Sequence, residues 1–150
     1  MLKKHNIVFG EHTYDYVDHG GAQEAAKQLG LDLHSVAKTL IMEDELGHPM
    51  IVLMHGDCDV STKSLARQIG AKRVSPCAPE TAQKHSGYLV GGTSPFATRR
   101  IMPIWMEESL LRLPILYVNG GHRGYLISVP PAVLSDLLNA KPIQVGRTKK

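Results

Sequence analysis

The sequence predicts an α+β (mixed α/β) fold, a curled mixed β-sheet with helices packed around it. Three observations lead there. Short strand-like and short helix-like runs are punctuated throughout by 14 glycines and 9 prolines. Hairpin-type connections alternate irregularly with helical ones, unlike the regular pattern of a doubly wound sheet. No phosphate-binding loop of the nucleotide-hydrolase kind occurs, and no GxGxxG follows a first strand. At 150 residues the chain has the length of one domain, 1–150, and can bury about two thirds of its unfolded surface without disulfide or metal staples.

The elements follow in order. His12–Tyr16 alternates and carries Thr and Tyr, which suits a strand. Ala22, Ala25, Ala26 and Leu29 recur at helical spacing across 21–29, and Gly30 stands where a C-terminal cap belongs. The apolar runs 36–42 and 50–54, joined by Glu43–Pro49, read as a β-hairpin with a charged turn. Ser61 can cap a helix to Ile69 that Gly70 closes, and Pro79 fits the first turn of another that ends at Ser86-Gly87. Short strands are expected at 88–90, 101–106, 115–118 and 125–129. Pro131 opens a last helix striped by Val133, Leu134, Leu137 and Leu138, and the tail from about Lys141 reads as polar and loose.

Composition narrows the function. The apolar fraction is 43% and the charged fraction 21%, so a disordered tail and a coiled coil are both poor fits. The longest apolar runs are far too short to span a membrane, and no apolar stretch follows the basic N-terminus as an export signal would require. The reading is a cytoplasmic protein with no membrane partner. A net charge of +3, spread over short basic pairs, lacks the dense stripe of a DNA-duplex binder. Cys58 and Cys77 are expected as reduced thiols.

Three constellations could carry chemistry. Lys38 shares a strand face with Val36, Leu40 and Met42. Either its ammonium compensates a phosphate or a developing oxyanion, or its stem covers apolar surface while the head reaches water. Gly91-Gly92-Thr93-Ser94-Pro95 lets a backbone approach a ligand closely and offers several N–H and hydroxyl donors; it can equally be a tight turn. Asn119-Gly120-Gly121-His122-Arg123-Gly124 is a hairpin signal, or a second pocket wall with Arg123 near its mouth. His55, Asp57, Cys58 and Asp59 gather metal-ligand types but match no familiar spacing, so neither metal nor other cofactor is expected. No triad is recognisable.

Four segments occur together in one order: Ala37-Lys38-Thr39-Leu40, Leu65–Lys72, Gly87-Tyr88-Leu89-Val90-Gly91-Gly92-Thr93-Ser94-Pro95, and Gly120-Gly121-His122-Arg123-Gly124. In this the chain, from about His12 to Leu138, resembles the YbaK/EbsC family. The resemblance implies a barrel-like mixed sheet surrounded by helices. It also implies a deacylase that hydrolyses wrongly attached small amino acids from tRNA, most typically cysteine from tRNA(Pro), with alanyl, seryl or threonyl esters as further substrates. It implies an aminoacyl-tRNA partner and a transient complex with a prolyl-tRNA synthetase. The family's essential lysine falls on Lys38 and its neighbouring threonine on Thr39. Its ligand-contacting glycines and serine fall on Gly91, Gly92 and Ser94, with Gly120 and Gly121 opposite and its N-terminal tyrosine on Tyr14. Two positions depart from the pattern. Thr93 replaces an aliphatic residue, and Leu126 stands where the cysteine-specific members resemble Gly-Leu-Asp, which leaves the amino acid open. A non-catalytic aminoacyl-tRNA or small-ligand binding module is the competing reading.

Overall fold

The computed structural model describes residues 7–148. Its elements run β1 (Gly10–Thr13), α1 (Gly21–Leu29), β2 (Ala37–Asp44), β3 (Pro49–His55), β4 (Cys58–Val60), α2 (Thr62–Ile69), β5 (Val74–Pro76), α3 (Pro79–Ser86), β6 (Ile104–Glu107), β7 (Leu116–Asn119), β8 (Tyr125–Val129), α4 (Ala132–Leu138), β9 (Lys141–Ile143) and β10 (Gly146–Thr148). Short 3-10 turns at Leu33–Ser35 and Glu108–Arg112 lead into β2 and out of β6.

The central sheet has the order β5-β2-β3-β6-β9. Its hairpin is antiparallel from Ala37↔His55 to Glu43↔Pro49, while β6 and β9 add in parallel. A second sheet, β1-β8-β7, is antiparallel, and β10 pairs with β4 in a third. A parallel bridge, Val36↔Tyr117, ties the second sheet to the start of β2. The mixed sheet with helices is therefore present, but among the described residues the ladders fall into three sheets and form no closed ring.

All seven residues of β3 are buried because both faces of the central sheet are covered. On one face Ala37, Ile41, Ile51 and Leu53 pack with Phe96, with Ala82 of α3 and with Val133 and Leu134 of α4. On the other Met42, Met50, Val52 and Met54 pack with Leu65 and Ala66 of α2 and with Val145. A third cluster joins Ala25 and Ala26 of α1 to Val36, Leu126 and Tyr14. Ser61 caps α2, its side chain accepting from the Ser64 N–H, and left-handed Gly70 closes it. No helix among the described residues is long and apolar enough to cross a membrane.

Three expectations need correction. The tail from 141 is not loose: it forms β9 against β6 and β10 against β4. Two apolar residues inside it, Ile143 and Val145, are buried beneath the central sheet, and a sequence scan that sees only polar neighbours misses them. Residues 88–90 form no strand. The Tyr88 N–H donates to the Ser86 hydroxyl, Val90 N–H to the Gln83 amide oxygen and Gly92 N–H to the Leu89 carbonyl, so local partners use the groups that a ladder would need. The first strand is Gly10–Thr13 rather than 12–16: Tyr14 N–H already donates to the Gly124 carbonyl, and Asp15 N–H to the Gln28 side chain.

Candidate functional site

Strand alternation puts Lys38 on the face of Val36, Leu40 and Met42, between the Val36 cluster and the Met42 cluster. Its stem crosses that apolar seam, and its side chain keeps 22% of its exposure. The ammonium donates to the Cys58 carbonyl across 2.5 Å and stands 3.8 Å from a carboxylate oxygen of Asp59. Lys38 is thus neither swept out into water nor sealed in the core. The stem packs against apolar surface, and the head is held by groups of the protein.

The two glycine turns touch. A Cβ placed on Gly92 would stand 2.6 Å from the His122 carbonyl carbon and 2.7 Å from the Arg123 nitrogen, both backbone atoms that cannot yield. Only glycine permits this approach. The Arg123 guanidinium spans the junction, donating through Nε to the Val90 carbonyl at 2.9 Å and lying 4.8 Å over the Tyr16 ring. Gly91, at φ +97°, faces the Tyr16 hydroxyl, and Gly121 faces the Tyr88 ring. Gly120 lies under Tyr125, whose ring stacks on His122 at 4.6 Å. Gly124 backs onto the Tyr14 carbonyl, and Tyr14 packs in the Val36 cluster, two residues before Lys38 on the same face. Tyr14 therefore links the second turn to the Val36 cluster, while Tyr16 packs on Gly91 and Arg123.

The remaining predicted residues divide. Thr39 points to the opposite face from Lys38, with Ala37 and Ile41, and its Oγ1 is buried with no hydrogen-bond partner among the described residues. Ser94 is 2% exposed and its hydroxyl accepts the Phe96 N–H at 3.1 Å, an inward structural contact. Thr93 is buried beside it. Burial raises the Tyr14 phenol above its ordinary range, so it stays protonated at neutral pH.

The thiols are poor nucleophiles. Burial, followed by the Asp57 charge, pushes Cys58 up to about 11, and burial pushes Cys77 to about 11 as well. His34, His55 and Asp57 come within 4.8 Å of one another through their ligand atoms. The two imidazoles are stacked 3.6 Å apart and 7° from parallel, so no ion could lie in both ring planes. Each nitrogen of His55 is already engaged. Nδ1 faces the His34 carbonyl at 2.6 Å, which can only accept, so Nδ1 carries the proton and Nε2 accepts from the Ser109 hydroxyl at 2.5 Å. Burial holds the His55 pKa below its ordinary value and keeps the ring neutral.

Sequence reasoning missed Tyr16, and it missed the Cys58 carbonyl and Asp59 as the lysine's partners. A main-chain acceptor twenty residues away leaves no residue-type signal. Leu126, 1% exposed on β8, lies in the Val36 cluster, where an acidic side chain would be desolvated.

A family model described as an aminoacyl-tRNA editing domain matches residues 19–137. A protein of Enterococcus faecalis, EbsC, described as a candidate Cys-tRNA(Pro)/Cys-tRNA(Cys) deacylase, is 25% identical over 142 residues, covering 94% of this chain and 87% of its own length. The proline–tRNA ligase of Limosilactobacillus fermentum is 25% identical over 120 residues, which are 77% of this chain but 20% of the ligase. The crystal structure of a candidate trans-editing enzyme for prolyl-tRNA synthetase superposes with a TM-score of 0.83 at 22% identity, covering 97% of this chain and 92% of that one, a likeness of fold.

Proposed function

The chain belongs to the aminoacyl-tRNA editing domain family, and on that premise we propose that it is a trans-editing deacylase. It hydrolyses the ester between a mischarged small amino acid and the terminal ribose of tRNA, with Cys-tRNA(Pro) the foremost candidate and alanyl, seryl or threonyl esters as further substrates. The observation that carries this reading is the contact of Gly92 with the His122–Arg123 backbone. It gathers two glycine-rich turns into one wall, with Tyr16 packed against Gly91 and under the Arg123 guanidinium.

In this mechanism Lys38 holds the phosphate or ribose at the end of the tRNA and fixes the ester's geometry. Backbone N–H groups near Gly91–Ser94 or Gly120–Gly121 stabilise the tetrahedral oxyanion; losing one such donor typically costs about 3 kcal/mol. No protein nucleophile is required. Water adds to the carbonyl, the ribose oxygen leaves and takes a proton, and the free amino acid departs. With a cysteinyl ester the substrate's own thiol attacks instead, releasing the ribose hydroxyl and a cyclic thioester that water then opens. Such an intramolecular attack gains from proximity. The protonated state of both protein thiols supports a mechanism without enzyme acylation. The likeness to part of a proline–tRNA ligase supports a transient complex with that synthetase, which would supply tRNA selectivity that a charge of +3 provides only weakly.

A panel of tRNAs charged with cysteine, alanine, serine, threonine and proline tests this reading. Release of one or more small amino acids, with Pro-tRNA(Pro) spared, is the expected result. Binding without release of any amino acid would overturn the enzyme reading in favour of a binding module.

A further inference from the structure

Two groups that hold Lys38, the Cys58 carbonyl and the Asp59 carboxylate, belong to β4, a strand of only three residues, Cys58–Val60. Its ladder partner is the C-terminal strand: Cys58 faces Thr148, Asp59 faces Arg147 and Val60 faces Gly146, and the Ser61 N–H donates to the Val145 carbonyl at 2.8 Å. The start of β10 is held in turn by a side chain from elsewhere. Glu107, at the end of β6 and 8% exposed, accepts the Val145 N–H through Oε1 at 2.8 Å and the Gly146 N–H through Oε2 at 2.7 Å. One residue earlier, the Gln68 amide donates to the Gln144 carbonyl and accepts the Gln144 N–H. The carboxylate approaches so closely that a Cβ on Gly146 would lie 2.4 Å from Glu107 Oε2.

We propose that Glu107 and the C-terminal strand β10 are a positioning device for Lys38. Glu107 docks β10, β10 fixes β4, and β4 presents the Cys58 carbonyl and the Asp59 carboxylate that hold the ammonium. A buried carboxylate given to two consecutive backbone N–H groups of the tail makes sense on this account, because charge-assisted bonds fix direction as well as attraction. Arg147 stands opposite Asp59 in the ladder. The segment concerned, 141–148, lies beyond the residues that the family model matches. Lys38's role in deacylation rests on the function proposed above; its positioning does not.

The test therefore has two readouts. Reductive methylation, followed by mass spectrometry, reports how freely each lysine reacts, with Lys63 on the exposed face of α2 as internal reference. The chain ending at Gln144 keeps β9 and loses β10. Glu107→Gln keeps the whole chain but turns an amide N–H₂ toward backbone donors. In both variants Lys38 is expected to react about tenfold faster relative to Lys63, while far-UV circular dichroism and cooperative unfolding are retained. On the most active charged tRNA, kcat is expected to fall about tenfold with KM changed less than twofold. Unchanged Lys38 reactivity in Glu107→Gln would overturn the proposal even if the truncated chain fails to fold. Faster Lys38 methylation in a protein that deacylates nothing would uphold the positioning device and sink the deacylase reading instead.

Discussion

The Lys38 ammonium and the Cys58 carbonyl stand 2.5 Å apart across twenty residues of sequence, and that contact decides where the cation of β2 can point. Lys38→Ala should abolish deacylation, lowering kcat/KM by about 10² or more, while circular dichroism and the unfolding midpoint remain close to those of the parent. Lys38→Arg should fail to restore activity, because a planar guanidinium does not reproduce a compact ammonium at one carbonyl. A parental rate in either folded variant removes Lys38 from the mechanism.

Gly92→Ala introduces a methyl group where two backbone atoms of the other turn stand within 2.7 Å. The turns must separate, so the oxyanion donors lose their alignment. A fall of at least about tenfold in kcat/KM is expected, with a loss of stability as well, because Gly92 and the following residues to Phe96 are buried. Steady-state kinetics beside a urea titration would separate the two effects, and full activity would show that the turns act independently.

Both cysteines replaced by serine should leave deacylation within about twofold of the parent. With pKa values of about 11, about one thiol in ten thousand is ionised at pH 7. A folded, inactive double variant would restore a protein thiol to the reaction.

Leu126→Ala, at a position 1% exposed, should cost about 2–5 kcal/mol of stability. If the Val36 cluster borders the acyl group, the added space should also raise turnover of threonyl relative to alanyl esters. An unchanged ratio across the charged-tRNA panel would place the acyl group elsewhere.

Acid should destabilise the fold in two stages. The folded pKa of His55 is depressed by burial, so the unfolded chain takes up this proton first as pH falls. Stability that is present above about pH 6.5 is therefore lost below it, with a slope of at most about 1.4 kcal/mol per pH unit. Burial opposes ionisation of Asp57, but the His34 hydrogen bond and charge outweigh it and lower its pKa. Its contribution is present above about pH 4 and disappears as pH falls through the lower folded value. Thermal unfolding of the parent and of His55→Gln from pH 7 to 5 checks the first stage; the variant should lose that slope, and parallel curves would refute the assignment.

Much of the fold was legible in the chain because its signals are local. The glycine caps at 30, 70 and 87, the Ser61 cap, Pro79 and the β2–β3 hairpin each depend on a few adjacent residues whose φ preferences or hydrogen-bonding groups settle the outcome. The motif segments around Lys38, Gly91-Gly92 and Gly120-Gly121 were equally visible as residue types. The false strand at 88–90 was the converse case, a β-like composition overruled by Ser86 and Gln83 capturing its N–H groups.

The sequence by itself determined the family, most of the helices and the β2–β3 hairpin, and it marked out the residue types that the proposed chemistry uses. Tertiary structure alone decided that the two glycine turns press together at Gly92, that the Lys38 ammonium meets the Cys58 carbonyl, and that a polar-looking tail becomes β9 and β10. Backbone approach, long-range strand pairing and acceptance by a main-chain carbonyl have no residue-type signature. They arise only when segments far apart in sequence are packed side by side.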